Sequence, residues 1–341
     1  MNIYPLLRDL MFRLDAETAH HLGLNTLKWL EFSGLLGLLM PKPLIKPVTV
    51  MGIEFANPVG LAAGLDKNAD YIEALARLGF GFVEVGTVTP RPQPGNTRPR
   101  LFRLPEAEAI INRMGFNNLG VDHLLEQVQV ADTPAKVGIN IGKNFDTPVD
   151  HALDDYLLGL NKVYAHADYV TINISSPNTP GLRSLQFGKA LDELLDALKN
   201  GQTDLAATHE RYVPMAVKVA PDLTAEELAQ LADAFSRFQV DAVIATNTTL
   251  DREAVAGLKH ADEAGGLSGR PVFAKTTEVV RQFRQALPPA MPIIAAGGIN
   301  SGEDAKAKLE AGAALVQIYS GLIYQGPALI RDIVKTLQQR T

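Results

Sequence analysis

The chain has no cysteine at any of its 341 positions. That absence excludes disulfides, thiolate metal sites, iron–sulfur ligation and a cysteine nucleophile or base. It also lacks a basic surplus: 32 Lys and Arg stand against 38 Asp and Glu, a net charge of -6. Nucleic-acid binding depends on a clustered excess of cations, so a broad nucleic-acid footprint is excluded. The seven histidines are scattered apart from the adjacent pair His20 and His21. With no HExxH spacing, no metal site is expected. Long apolar runs are missing too. In the leucine-rich segment 1–40 the longest uncharged stretch begins at Phe32 and reaches Pro41, far short of the ~18–20 residues that span a bilayer. Arg8, Asp9, Arg13, Asp15 and Glu17 interrupt the earlier apolar runs. No secretory signal pattern results, and the protein is expected on the cytosolic side.

What is present is an ordinary globular composition, 46% hydrophobic and 21% charged, with length for one large domain and an appendage. From residue 57 onward, short apolar runs rich in Val, Ile and Ala alternate with longer amphipathic stretches. This is the pattern of a parallel sheet covered by helices. Runs at 59–63, 82–86, 136–142, 169–175, 215–220, 242–247, 292–298 and 315–320 read as strands, and eight such units predict a TIM (β/α)8 barrel in a catalytic domain over 41–341. Thr224 with Glu227 marks a capping box opening a helix over 224–238. The stretches 98–116 and 250–270 fit no barrel element. They are expected as extended loops over the C-terminal ends of the strands, the face where TIM barrels carry their active sites.

Residues 1–40 hold twelve leucines with Phe12, Trp29 and Phe32, spaced as two amphipathic helices with a break near Ser33 and Gly34. Composition alone leaves two readings open: a helical hairpin packed on the barrel, or a helix pair lying in a membrane interface.

The run 169–175 leads directly into SPNTPG, which places Asn173, Ser176 and Asn178 on the catalytic face, in a loop stiffened by Pro177 and Pro180. Ser and Asn in such a segment ordinarily just make the turn. Here, however, Asn112, Asn140 and Asn247 fall at strand ends or in loops of the same face, and a planar amide both donates and accepts. Converging neutral amides suit a cyclic imide or lactam, such as a flavin or a pyrimidine. Lys67 follows the first run and Lys218 sits inside the fifth, where an ammonium is costly unless it meets an anion. A negative ligand is therefore expected between them. The plain alternatives are a solvated loop charge for Lys67 and a snorkelling pose for Lys218. Gly297, Gly298, Ser320 and Gly321 end the seventh and eighth runs, where TIM barrels hold phosphate on backbone N–H groups.

In order, AAGLDK, GTVTPRPQPGN, INRMGFNN, INIGKN, NISSPNTPGLR, VKVAPD, ATNTT, GGLSGRP, AAGGI and QIYSG resemble the class 2 dihydroorotate dehydrogenases over nearly the whole chain. The resemblance implies oxidation of dihydroorotate to orotate in pyrimidine synthesis, with FMN as hydride acceptor and a quinone as terminal acceptor. It implies that Ser176 is the catalytic base, taking the proton alpha to the carbonyl. Class 1 enzymes place a cysteine there, and this chain has none. A serine hydroxyl is a weak base, so the site must activate it. By the same resemblance Lys67, Asn112, Asn173, Asn178, Asn247 and Thr248 hold the substrate, with Arg113, Met114, Gly115 and Phe116 beside it. FMN is expected against Ala63, Gly64, Leu65, Asp66 and Lys67. It would run along Thr87, Asn140, Asn173, Lys218 and Thr246, its phosphate toward Gly269, Gly298, Tyr319 and Ser320.

Residues 1–40 then become a membrane-lying mouth for quinone, with His20 and Arg103 as polar contacts. This implies a peripheral enzyme on the cytoplasmic face of the cell membrane, monomeric or weakly self-associating. A chain without 1–40 is expected to keep the dihydroorotate half-reaction and to lose quinone reduction. A soluble class 1 enzyme using fumarate or NAD is opposed by the missing cysteine and the 1–40 leader. Another FMN-dependent barrel reductase, acting on uridine in RNA, is opposed by the acidic charge. A Schiff-base lyase built on Lys218 would be refuted by a yellow protein.

Overall fold

A computed structural model describes residues 4–339. The chain opens with α1 (Tyr4–Met11), α2 (Ala16–Phe32) and α3 (Leu35–Leu39). The expected break falls at Ser33 and Gly34, with Gly34 at φ 74°. A second interruption at 12–15 makes three helices instead of two, because the Asp15 carboxylate caps α2 by accepting from the backbone N–H groups of Glu17 and Thr18 at 3.1 and 2.9 Å.

A short hairpin of β1 (Val48–Val50) and β2 (Ile53–Phe55) comes next. The barrel follows: β3 (Val59–Leu61), α4 (Ile72–Ala76) and β4 (Phe82–Val88). The chain then leaves it for β5 (Leu101–Leu104) and β6 (Ala109–Asn112). It returns through α5 (Val121–Val130), β7 (Lys136–Ile141), α6 (Ala152–Val163), β8 (Tyr169–Asn173), α7 (Gly188–His209), β9 (Met215–Val219), α8 (Ala225–Arg237) and β10 (Ala242–Ala245). After β11 (Gly266–Gly269) come α9 (Phe273–Ala286), β12 (Ile293–Ala296), α10 (Gly302–Glu310), β13 (Leu315–Ile318), α11 (Ser320–Gln325) and α12 (Ala328–Gln338). Strands β3, β4, β7, β8, β9, β10, β12 and β13 close on one another in that order as a parallel barrel. All eight predicted runs are its strands. The capping box forms, with Thr224 N–H donating to Glu227 Oε2 at 2.8 Å and Glu227 N–H to Thr224 Oγ1 at 3.2 Å.

One correction concerns 98–116 and 250–270. They are not extended loops: β5, β6 and β11 make a three-stranded antiparallel sheet with β6 in the middle. Its partners are far apart in sequence, and Phe102, Leu104, Ile111, Leu267 and Val272 form an apolar cluster of their own beneath it.

The outward faces of the barrel strands pack Val, Ile and Leu against the helices, each such side chain contributing roughly 1.5–3 kcal/mol. Inside, Phe82 and Tyr169 fill the N-terminal end, closed from below by Val50 and Phe55 of the hairpin. Gly60 and Gly138 make room for them, since a Cβ would lie 2.1 Å from the Phe82 ring and 2.2 Å from that of Tyr169. Above this apolar plug the barrel interior turns polar.

Candidate active site

At the C-terminal ends of the strands lies a cavity of about 1090 Å³, counted to its open mouth. Three chemically distinct zones line it.

The first is a set of amides and hydroxyls. Several predicted strand runs overshoot the observed strands because their last residues leave the sheet to serve this zone. After Asn173 the backbone stops pairing, and Ser175 and Ser176 turn over the barrel mouth, both buried. Ser176 Oγ accepts from Asn178 N–H at 3.2 Å. The Asn178 amide reaches Asn112 O at 3.2 Å and Asn112 Oδ1 at 3.4 Å. Asn112 ends β6, so the small antiparallel sheet carries it and the 114–116 turn across the cavity. Asn247 donates to Ser175 Oγ at 3.0 Å, and Ser175 Oγ donates to Asn173 Oδ1 at 3.1 Å. Asn173 in turn donates to Thr87 Oγ1 at 2.9 Å, and Thr87 to Asn140 Oδ1 at 2.6 Å. Asn247 Oδ1 accepts from Thr248 N–H at 2.7 Å.

The second zone is ionic. Lys218, on β9, is buried, and burial pushes its ammonium below the usual lysine range while the Glu84 carboxylate partly restores it. Glu84 stands fully buried on β4. It accepts from Asn140 at 2.8 Å, the Tyr169 hydroxyl at 2.9 Å and Gln317 at 2.6 Å. Burial and Glu84 together push the Tyr169 phenol far up, so it is a permanent donor. Part of the anion expected near Lys218 is thus a carboxylate of the protein itself. Lys67 donates to Gly64 O at 2.7 Å, and burial brings it down to about 8 against the pull of Glu17.

The third zone is built of glycines and hydroxyls. Gly297 and Gly298 take φ of 110° and 77°, a region open to glycine at little cost. A Cβ on Gly298 would lie 2.4 Å from Phe273 Cα. Thr276 Oγ1 donates to Gly297 O at 3.0 Å and accepts from the buried Lys308 ammonium at 2.6 Å, which fixes this turn from behind. Across it, Ser268 Oγ and Ser320 Oγ lie 2.9 Å apart.

Of the residues read from the sequence, the structure brings Ala63, Gly64, Lys67, Thr87, Asn112, Met114, Gly115, Phe116, Asn173, Ser176, Asn178, Lys218, Thr246, Asn247, Thr248, Gly269, Gly298, Tyr319 and Ser320 into this one cavity. Four others lie outside its lining. Leu65 is core. Asp66 accepts from the backbone N–H groups of Asp70 and Tyr71, and burial raises it to about 6. Arg113 turns to Glu263 at 2.7 Å and over the Phe102 ring. Asn140 sits one layer down, bridging Thr87 and Glu84. Sequence reading missed Glu84, Ser175, Ser268 and Gln317. The signal for Glu84 and Gln317 was there, since each is a polar residue inside an apolar barrel strand.

The helical segment docks through Tyr4 to Ile323 O at 2.7 Å, Asn25 to Tyr71 at 2.7 Å and Glu31 to Arg77 at 2.8 Å. Arg103 donates to Met11 O at 3.2 Å and to Leu14 O, with its guanidinium over the Phe12 ring. His20 is pushed down to about 3 by burial and by Lys67, so its ring is neutral. Other apolar side chains of the segment are uncovered: Leu6, Phe32 and Leu38 are 74%, 91% and 84% exposed. Among the described residues no helix is long and apolar enough to cross a membrane.

Residues 46–341 match the family model described as dihydroorotate dehydrogenase. A relative from Ectopseudomonas mendocina (strain ymp), named dihydroorotate dehydrogenase (quinone), is 62% identical over 98% of this chain and 98% of its own. One of the same name from Pseudomonas aeruginosa (strain LESB58) is 61% identical over the same shares. Among solved structures, the dihydroorotate dehydrogenase of Eimeria tenella in complex with ferulenol superposes with a TM-score of 0.86 at 38% identity, covering 96% of this chain and 91% of that one.

Proposed function

The chain belongs to the dihydroorotate dehydrogenase family, and from that premise we propose how its residues carry out the quinone-linked reaction. The enzyme oxidises dihydroorotate to orotate in pyrimidine synthesis and delivers the electrons to a quinone. The family is flavin-dependent, and the flavin proposed here is FMN. Gln317 lines the cavity with an Oε1 that is buried without a partner. Gly269, Gly297 and Gly298, with the hydroxyls of Ser268 and Ser320, make a close-approach cradle suited to a phosphate. FMN bound there supplies a two-electron acceptor beside the substrate and the route by which electrons pass to quinone.

The chain's own residues do the rest. Ser176 Oγ takes the proton alpha to the substrate carbonyl while its own hydroxyl proton passes on through water at the cavity's open mouth. Asn112, Asn173, Asn178 and Asn247 read the donor and acceptor edge of the ring, and Thr248 and the Met114–Phe116 turn cover it. The Lys67 ammonium answers the substrate carboxylate, and the buried Lys218 would supply a positive charge to a cofactor that accepts electrons in this cavity. Ala63, Gly64, Thr87, Thr246 and Tyr319 line the same cavity and would help hold the cofactor. Asn140 contributes by holding Thr87. Cations stabilise a serine alkoxide and so make the hydroxyl easier to deprotonate, and Lys67 and Lys218 line the same cavity as the buried Ser176.

The exposed leucines and Phe32 of the helical segment seat the enzyme peripherally on a membrane, on its cytoplasmic face, with His20 and Arg103 at the quinone mouth. The observation that carries the whole reading is that the buried Ser176 shares one cavity with Asn112, Asn173, Asn178 and Asn247. The test is anaerobic addition of dihydroorotate followed by a soluble quinone. The reading requires the flavin absorbance to bleach and then recover. Bleaching by NADH and not by dihydroorotate would refute it.

A further inference from the structure

Glu17 lies on α2, yet it is only 4% exposed. A carboxylate so placed needs cationic partners, and it has two: its Oε1 accepts from Arg100 Nη2 at 2.7 Å and Arg98 Nη2 at 3.0 Å, and its Oε2 from Arg100 Nε at 3.1 Å. Arg98 is a largely exposed side chain, whereas Arg100 is buried. The other terminal nitrogen of Arg100 is committed as well. Its Nη1 donates to Pro94 O at 2.7 Å and Asn96 O at 2.8 Å. The loop so gathered grips the next segment. Asn96 Nδ2 donates to Arg113 O at 2.9 Å, Asn96 N–H to Met114 O at 3.0 Å and Gln93 Nε2 to Gly115 O at 3.0 Å. Three consecutive carbonyls following Asn112 are therefore fastened by a loop whose own shape Arg100 sets. There is no slack in the fit: a Cβ on Gly95 would lie 2.3 Å from Met114 O, and one on Gly115 would lie 2.9 Å from Asn96.

We propose that Glu17 is a positioning residue for the dihydroorotate site, acting from the N-terminal helices through Arg100 and the 93–100 loop on the turn that carries Asn112. The proposal rests on the reading that this turn holds the substrate. It changes the expectation for a chain without residues 1–40. Such a chain loses the anion that holds Arg100, so it binds dihydroorotate poorly as well as failing to reduce quinone.

The test is orotate affinity of the FMN-loaded full-length protein by calorimetry, in the parent and in Glu17→Gln, Glu17→Asp, Arg98→Ala and Asn112→Ala. Removing the charge in Glu17→Gln raises Kd at least tenfold, with the limiting rate of flavin reduction by dihydroorotate changed less than twofold. Glu17→Asp, which keeps the charge but withdraws it by one methylene, raises Kd about threefold. Arg98→Ala leaves Kd within twofold. A Kd for Glu17→Gln within twofold of the parent, while Asn112→Ala loses binding, overturns the proposal. Normal binding by Asn112→Ala refutes the site reading instead. If Glu17→Gln does not fold, a Kd for Glu17→Asp within 1.5-fold of the parent overturns the proposal on its own.

Discussion

Glu84→Gln removes the charge at the centre of the barrel while keeping its shape. Both oxygens are fully used, Oε1 by Asn140 and Oε2 by Tyr169 and Gln317. A glutamine has one oxygen, so in either orientation its NH2 faces at least one donor, and an orphaned buried donor costs about 1–3 kcal/mol. Lys218 also loses the carboxylate that favours its charge. Glu84 acts on Lys218 at a distance and not in a salt bridge, so this loss lies below the ~3–5 kcal/mol of a broken buried contact pair. The two effects overlap, and the expected loss is about 4 kcal/mol, or roughly 6 °C in Tm at ~2.1 cal/mol/K per residue. Urea unfolding at a fixed excess of FMN measures it, since ligand concentration shifts apparent stability. Combining Glu84→Gln with Lys218→Met should cost less than the sum of the single changes by ~1–3 kcal/mol. A Glu84→Gln protein within about 1 kcal/mol of the parent, or strict additivity in the double variant, refutes the argument that this carboxylate balances Lys218.

Two further predictions concern the mouth of the site. Burial holds Lys67 down at about 8, so the free site carries its ammonium at pH 7 and loses it as pH rises through 8. A bound carboxylate favours the protonated form, so orotate Kd is flat below about pH 7 and climbs up to tenfold per pH unit above about 8. In Lys67→Met it is weaker and flat. Calorimetry across pH checks this, and a constant parent Kd up to about pH 9.5 contradicts it. Phe32 and Leu38 are exposed apolar side chains, and replacing both with Asp should cut sedimentation with anionic vesicles at least tenfold while sparing flavin reduction by dihydroorotate. Unchanged sedimentation counts against the proposed membrane face.

The barrel is legible in the sequence because parallel strands buried on both faces read as unbroken apolar runs. The same property hid Glu84. The argument that singled out Lys218, a charge inside such a run, applies equally to FVEVG, where the apolar neighbours masked it. Asn112 was found through its motif, but its support was not. Strand β6 pairs with Gly266–Gly269, more than 150 residues away, and four-residue strands with no clear alternation carry no local signal. The hairpin β1–β2 escaped for the same reason, with three residues per strand. Glu17 looked like an ordinary polar helix residue, because what buries it is a pair of arginines some 80 positions on.

The central claim is that Ser176 is the base. Stopped-flow reduction of the FMN-loaded Ser176→Ala protein by dihydroorotate, under anaerobic conditions, tests it most directly. The account predicts a yellow protein whose orotate Kd stays within about threefold of the parent and whose flavin reduction slows by a factor on the order of 10²–10⁴, the usual contribution of a positioned base. Reduction within about threefold of the parent rate would contradict it.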